Sequence, residues 1–292
     1  MMHARHLKAD GLLLLTAIIW GAAFVAQRLG MEHIGPFTFN GVRFALGALA
    51  LQPLIWRMQQ TRSGPGVSSG RIIRCGLLAG CVLFAGAALQ QVGIVYTTAG
   101  KAGFITGLYV VMVPLFGLML GQRAGTGTWI GALAAAAGLY LLSVNEDFSI
   151  AFGDMLELVG AVFWAGHVLV IGRLSPGMDA TDAVKLAAAQ FTVCAGLSLG
   201  AGVAFESITW AGVSAAAVPI LYGGLMSVGV AYTLQVVAQR DADPAHAAII
   251  LSLEAAFAAV TGYFVLGEVL ALRALIGCGL MLGGMLLSQL RA

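Results

Sequence analysis

Glu254 lies about ten residues into a run of apolar side chains at 245–266, a depth that a bilayer-spanning helix would place near the midplane. A carboxylate there has three kinds of work open to it: binding a solute ammonium, carrying a proton, or pairing with a polar group on a neighbouring helix. His167 follows Trp164 by one helical turn, so the two share a face, with Phe163 and Val170 beside them. An imidazole in that setting either meets a solute or a proton, or joins two helices as a donor. Trp20 and Trp164 fall in mid-segment, away from the segment ends where membrane tryptophans collect. They read as the walls of a cavity or as filling between packed helices. Lys101 opens the stretch at 99–120, with Phe104, Leu108 and Tyr109 on the faces that follow. Its ammonium suits a carboxylate, or it snorkels to the headgroups. Gln90 and Gln91 in one segment, and Tyr232 and Gln235 in another, supply neutral donors and acceptors that fit a polar metabolite and equally the joining of helices. Arg43 is expected to be paired or structural, because a lone guanidinium deep in a membrane is costly. The candidate binding set is Trp20, Gln90, Lys101, Tyr109, Trp164, His167, Tyr232, Gln235 and Glu254.

The elements that must hold these residues follow from composition. The chain has 292 residues, 60% hydrophobic and 10% charged. Soluble domains carry about a quarter charged residues, so this is an integral membrane protein. Ten apolar stretches are each long enough to cross a bilayer as a helix: 10–29, 36–55, 72–93, 99–120, 125–143, 153–173, 183–205, 212–235, 245–266 and 272–290. If the first enters from the cytoplasm, Arg5, Lys8, Arg57, Arg62, Arg71, Arg74, Arg123, Arg173, Lys185, Arg240 and Arg291 fall inside, and Arg28, Lys101 and Arg273 outside. That bias puts both termini in the cytoplasm. The connections are short apart from the stretch between Arg57 and Arg71, which leaves no room for a soluble catalytic domain. Cys75, Cys81, Cys194 and Cys278 stand singly in apolar segments and read as packing residues, with no metal-ligand spacing. His-Glu-x-x-His, Gly-x-Ser-x-Gly and phosphate-loop motifs are absent, so neither a catalytic centre nor a cofactor is expected.

The second half of the chain echoes the first. LTAIIWGAAFVAQRL at 15–29 returns as VGAVFWAGHVLVIGRL at 159–174, matching Trp20 with Trp164. The segment ending LMLGQ, closing at Gly121, pairs with the one ending FVLGE, closing at Gly267. Gly131 and Gly138 recur at Gly277 and Gly284 with the same offset. Two repeats of five spans each, 1–145 and 146–292, must be inverted relative to each other, and such repeats build transporters. The first segment follows Arg5 and Lys8 as a signal peptide would, but its match to the Trp164 segment argues for retention. Glycines pair at four-residue spacing, as at Gly76/Gly80, Gly196/Gly200 and Gly279/Gly283, which suits close helix approach in lipid. Pro114 has no counterpart at Val260 and is a candidate kink.

At LYVVMVPLFGLMLGQ and SLEAAFAAVTGYFVLGE the chain resembles the EamA branch of the drug/metabolite transporter superfamily, and the resemblance extends over its whole length. It implies ten transmembrane helices as two inverted five-helix repeats. The chain departs from that family's pattern twice: Leu253-Glu254-Ala255 stands where Leu-Glu-Pro is common, and Gln122 where an acidic residue is common, although Glu268 keeps it in the other half. The resemblance implies a bacterial inner-membrane exporter of amino acids or related metabolites, with nucleobases or hydrophobic drugs as alternative cargo. An intramembrane enzyme using Glu254 or His167 as acid or base is the reading from another class. The expected partners are a small-molecule solute and membrane lipid, with no nucleic acid; the oligomeric state is not readable.

Overall fold

The computed structural model describes residues 2–62, 64–97, 99–143, 152–266 and 272–290, and among them every regular element is a helix. Seven helical spans are long and apolar enough to cross a membrane: His6–Gly30, Ser69–Tyr96, Ala102–Met119, Phe152–Leu174, Ala180–Phe205, Ala217–Ala238 and Pro244–Val265. Thr126–Leu141 and Leu275–Leu287 are shorter apolar helices. The protein is a multi-pass membrane protein. Its elements, in order, begin with α1 (Met2–Gly30), α2 (Pro36–Ala50), α3 (Gln52–Gln60), α4 (Ser69–Tyr96), α5 (Ala99–Gly107), α6 (Tyr109–Met119) and α7 (Thr126–Ser143). They continue with α8 (Phe152–Leu174), α9 (Ala180–Phe205), α10 (Trp210–Ala215), α11 (Ala217–Leu221), a π-helix (Tyr222–Tyr232), α12 (Thr233–Ala238), α13 (Pro244–Leu251), α14 (Glu254–Leu266) and α15 (Leu272–Leu290).

Helix starts follow local chemistry. Ser68, Asp179, Thr209 and Asp243 cap α4, α9, α10 and α13, their side-chain oxygens accepting from backbone N–H groups of the first turn. Pro36, Pro53 and Pro244 sit in first turns, where a missing N–H costs nothing, and Pro53 accompanies the division of the 36–55 stretch at Leu51. Gly121 closes α6 at φ 78°, with Gln122 N–H donating to Gly117 O at 2.9 Å and Gly121 N–H to Leu118 O at 3.0 Å. This crossed pair needs the left-handed conformation that glycine adopts without penalty. The echo at Gly267 and Glu268 lies outside the described residues.

Two stretches expected to be continuous are broken at matching places. The first parts between α5 and α6 at Leu108, where Leu108 N–H donates to Ile105 O at 3.2 Å and Val111 N–H to Leu108 O at 3.1 Å. The second parts between α13 and α14 at Ser252 and Leu253, where Leu253 N–H donates to Ile250 O and Ala255 N–H to Ser252 O, both at 3.2 Å. These tightened bonds replace part of the α ladder. The 212–235 stretch is not one α-helix either: its centre winds as a π-helix containing Gly223, Gly224 and Gly229.

Because lipid is as apolar as the helix faces, association rests on close packing. A Cβ on Gly138 would lie 2.5 Å from Gly277 O, and one on Gly284 2.7 Å from Gly131 O, so the echoed glycines of α7 and α15 seat on each other's backbones. Gly76 and Gly80 of α4 meet Ala189 and Val193 of α9 in the same way. Gly196/Gly200 and Gly279/Gly283 do not: a Cβ there would meet nothing within 4 Å. Four-residue spacing creates a groove, and only a neighbour that enters it makes a contact.

Polar clamps hold both ends of α9. At one end Glu206 accepts from Phe37 N–H and Thr38 N–H at 2.8 Å and from Thr38 Oγ1 at 2.6 Å, covering the start of α2. At the other, Arg62 grips Asp182 through two bonds of 3.0 and 2.8 Å and also reaches Asp179, while Val67 N–H donates to Asp182. The hydrogen bonds to Asp182 hold the Arg62 guanidinium above its ordinary pKa.

Candidate functional site

The broken helices and the π-helix converge on one internal cavity. Helix α1 presents Trp20, Ala23, Phe24 and Gln27, which recur at the helical period and so form one stripe. Opposite them stand Gln90 of α4, Thr106 of α5, Tyr109 of α6, Trp164 of α8, Tyr232 of the π-helix, Gln235 of α12 and Glu254 of α14, with Arg43 of α2 at the edge. Water centres fit into about 30 Å³ of this space, so it is narrow.

Each break delivers a polar side chain. Tyr109 is the first residue of α6 and Glu254 the first of α14, and the Tyr109 hydroxyl donates to Glu254 Oε1 at 3.1 Å. Irregular backbone at membrane depth is tolerated where it lines a cavity, and such breaks are how membrane carriers expose polar groups. Glu254 is 4% exposed and Tyr109 3%.

Aromatic rings form the wall. Tyr232 lies 4.5 Å from Trp20 between centroids, 6.1 Å from Trp164 in a stacked arrangement, and 5.8 Å from Phe44. The π-helix aids this placement. Its wider winding leaves carbonyls free for side chains of α1: Trp20 Nε1 donates to Ser227 O at 3.2 Å and Thr16 Oγ1 reaches Ala231 O at 3.2 Å. Tyr222 Oη in turn donates to Ile19 O at 2.9 Å. Interhelical hydrogen bonds of this kind contribute about 0.6 kcal/mol each in membranes, so three of them fix orientation more than they add stability.

Several polar atoms of the lining residues are buried and have no hydrogen-bond partner: Gln27 Oε1, Gln235 Oε1, Trp164 Nε1 and Arg43 Nε. Buried polar atoms are nearly always satisfied, and a group of them around one cavity marks a place where a polar solute or water completes the bonding.

Seven of the nine residues singled out from the sequence line this cavity: Trp20, Gln90, Tyr109, Trp164, Tyr232, Gln235 and Glu254. His167 does not. It stands behind the wall, edge-on to Trp164 and Tyr232 at 6.2 Å each, with Nε2 hydrogen-bonded to Gln190 Oε1 at 2.8 Å. One turn of helix separates two residues on a face, yet a cavity narrower than the face excludes one of them, and Val168 lines it instead. Lys101 belongs to α5, and its side chain lies outside the described residues.

The sequence reading missed Arg43, Gln27 and Thr106 as lining residues. Gln27 was within reach, since it continues the stripe of Trp20 one turn at a time. Arg43 was expected to be paired or structural; among the described residues no carboxylate pairs with it. Thr106 connects the cavity to a second buried acid, donating from Oγ1 to Glu157 Oε2 at 3.2 Å.

Comparison with known proteins gives a consistent picture. The model of the EamA-like transporter family matches the chain twice, over residues 7–144 and 151–290. An uncharacterized transporter of Archaeoglobus fulgidus is 31% identical over 98% of this chain and 87% of its own length. An uncharacterized transporter of Bacillus subtilis, YoaV, is 23% identical over 93% of both chains. An uncharacterized inner membrane transporter of Escherichia coli, YedA, is 29% identical over 65% of this chain and 62% of its own. One solved crystal structure shares the fold, with a TM-score of 0.76 at 17% identity over 96% of this chain and 97% of the other. With its two halves each matched by the family model, the chain belongs to the EamA-like transporter family.

Proposed function

We propose that the protein is a secondary transporter that exports small metabolites, amino acids first among them, across a bacterial inner membrane by alternating access. In this reading ten transmembrane helices form two inverted five-helix repeats, 1–145 and 146–292, with both termini cytoplasmic. The carrying observation is the cavity itself, where two interrupted helices from opposite halves of the chain meet through Tyr109 and Glu254 beneath an aromatic wall. Glu254 suits a solute ammonium, and Trp20, Trp164 and Tyr232 suit an apolar side chain. The narrowness of the cavity supports a carrier over an open pore, because a solute enters only when the two halves move apart. The role that the sequence suggested for Lys101 does not enter this reading.

The test is counterflow of radiolabelled amino acids by the purified, full-length protein in liposomes. Transient accumulation driven by unlabelled solute on the opposite side is the expected outcome and is given by neither an enzyme nor a channel. Folded protein that exchanges no amino acid rejects this cargo and turns attention to nucleobases and drugs.

A further inference from the structure

Arg43 is 3% exposed and lies against the cavity, yet among the described residues no carboxylate pairs with it and its Nε has no hydrogen-bond partner. Its setting is built to hold a guanidinium in place. The Phe39 and Phe44 rings stand 5.4 and 5.1 Å from its Cζ, and both belong to its own helix. Glycine at 223 leaves room for its stem, since a Cβ there would lie 3.3 Å from Arg43 Cδ. Aromatic faces offset part of the cost of taking the charge out of water, but they satisfy none of its N–H groups. A buried cation fixed in orientation and lacking a counter-ion is complete only when an anion arrives.

Which anion follows from the rest of the cavity. Among the described side chains that line it, Arg43 is the one cation and Glu254 the one carboxylate. A phosphate dianion calls for several cations; a carboxylate is matched by a single guanidinium, whose planar fork binds it through two parallel hydrogen bonds. Resting on the transporter reading above, we infer that Arg43 is the anchor for a solute carboxylate, so that the solute is selected for bearing an acid group and held with that group toward α2 and its amine toward α14.

The experiment uses full-length protein in liposomes and three probes that differ only at the acid group: leucine, leucinamide and isopentylamine. Wild type is expected to exchange leucine about a hundredfold better than either amine, the scale of a lost buried charge pair. Arg43→Gln is expected to bring leucine and leucinamide to parity, and Arg43→Lys, which keeps the charge without the fork, to fall between. Wild-type exchange of leucinamide on a par with leucine overturns the anchor and leaves the carrier standing. Equal loss of both probes in a folded Arg43→Gln protein does the same, by assigning Arg43 to structure. Exchange of none of the three by folded wild-type protein overturns the transporter reading for this cargo, and the anchor with it. If Arg43→Gln does not fold, the wild-type comparison of the three probes decides alone.

Discussion

The two interrupted helices reach one geometry from different sequences. The α5–α6 stretch carries Pro114 downstream of its break; the α13–α14 stretch has no proline between Ala245 and Leu266. Both nevertheless part at matching places, and each hands the first residue of its second helix to the cavity. A proline removes one donor and crowds the preceding turn, which favours a break but does not choose its place. The shared factor is what the freed turn meets: Tyr109 and Glu254 meet each other.

The largest effect is expected from Glu254→Gln. It keeps the shape and the acceptor for Tyr109 but removes the charge, and counterflow should fall about a hundredfold. Full exchange by this variant would make the second break a packing feature alone. Next come Gly138→Leu and Gly284→Leu, the matched substitutions at the α7–α15 seam. Each should cost about 2 kcal/mol in reversible denaturation of the purified protein, whereas Gly279→Leu, with nothing within 4 Å, should change little. Unequal losses at the matched pair would show that the halves correspond at the breaks but not at the seam. Tyr109→Phe removes one hydrogen bond to a carboxylate and should reduce exchange about fivefold, at a cost near 1 kcal/mol. The smallest effects are expected where the comparison is most direct. Pro114→Ala should leave exchange within about twofold, because the break at Leu108 lies upstream of the proline and does not depend on it. A collapse of exchange in Pro114→Ala would return the first break to its proline.

Much of the site was legible because ionisable, amide and aromatic side chains are conspicuous in apolar segments. Trp20, Trp164, Tyr109, Tyr232, Gln90, Gln235 and Glu254 stood out for that reason, and all line the cavity. Arg43 was equally conspicuous but was set aside on cost. His167 illustrates a different limit, since periodicity reports the face of a helix and not how wide an opening that face meets. The π-helix left no mark on a pattern read at 3.6 residues per turn, although its three glycines were visible. The glycine pairs show the same gap from the other side: Gly76/Gly80 and Gly196/Gly200 are alike in sequence, and only the first has a neighbour in its groove.

The clamps at the two ends of α9 differ in kind. Glu206 holds backbone N–H groups, and its grip depends on geometry at a helix start. Arg62 holds Asp182, which is 2% exposed, through two bonds, and Asp179, which is 46% exposed, so only the second contact depends on charge that meets solvent. Dissolved ions screen the second far more than the first. A change in ionic strength thus acts at the start of α9 through the Asp179 contact, and the compartment bathing that end can trim its hold while the buried Asp182 bonds and the Glu206 end keep theirs.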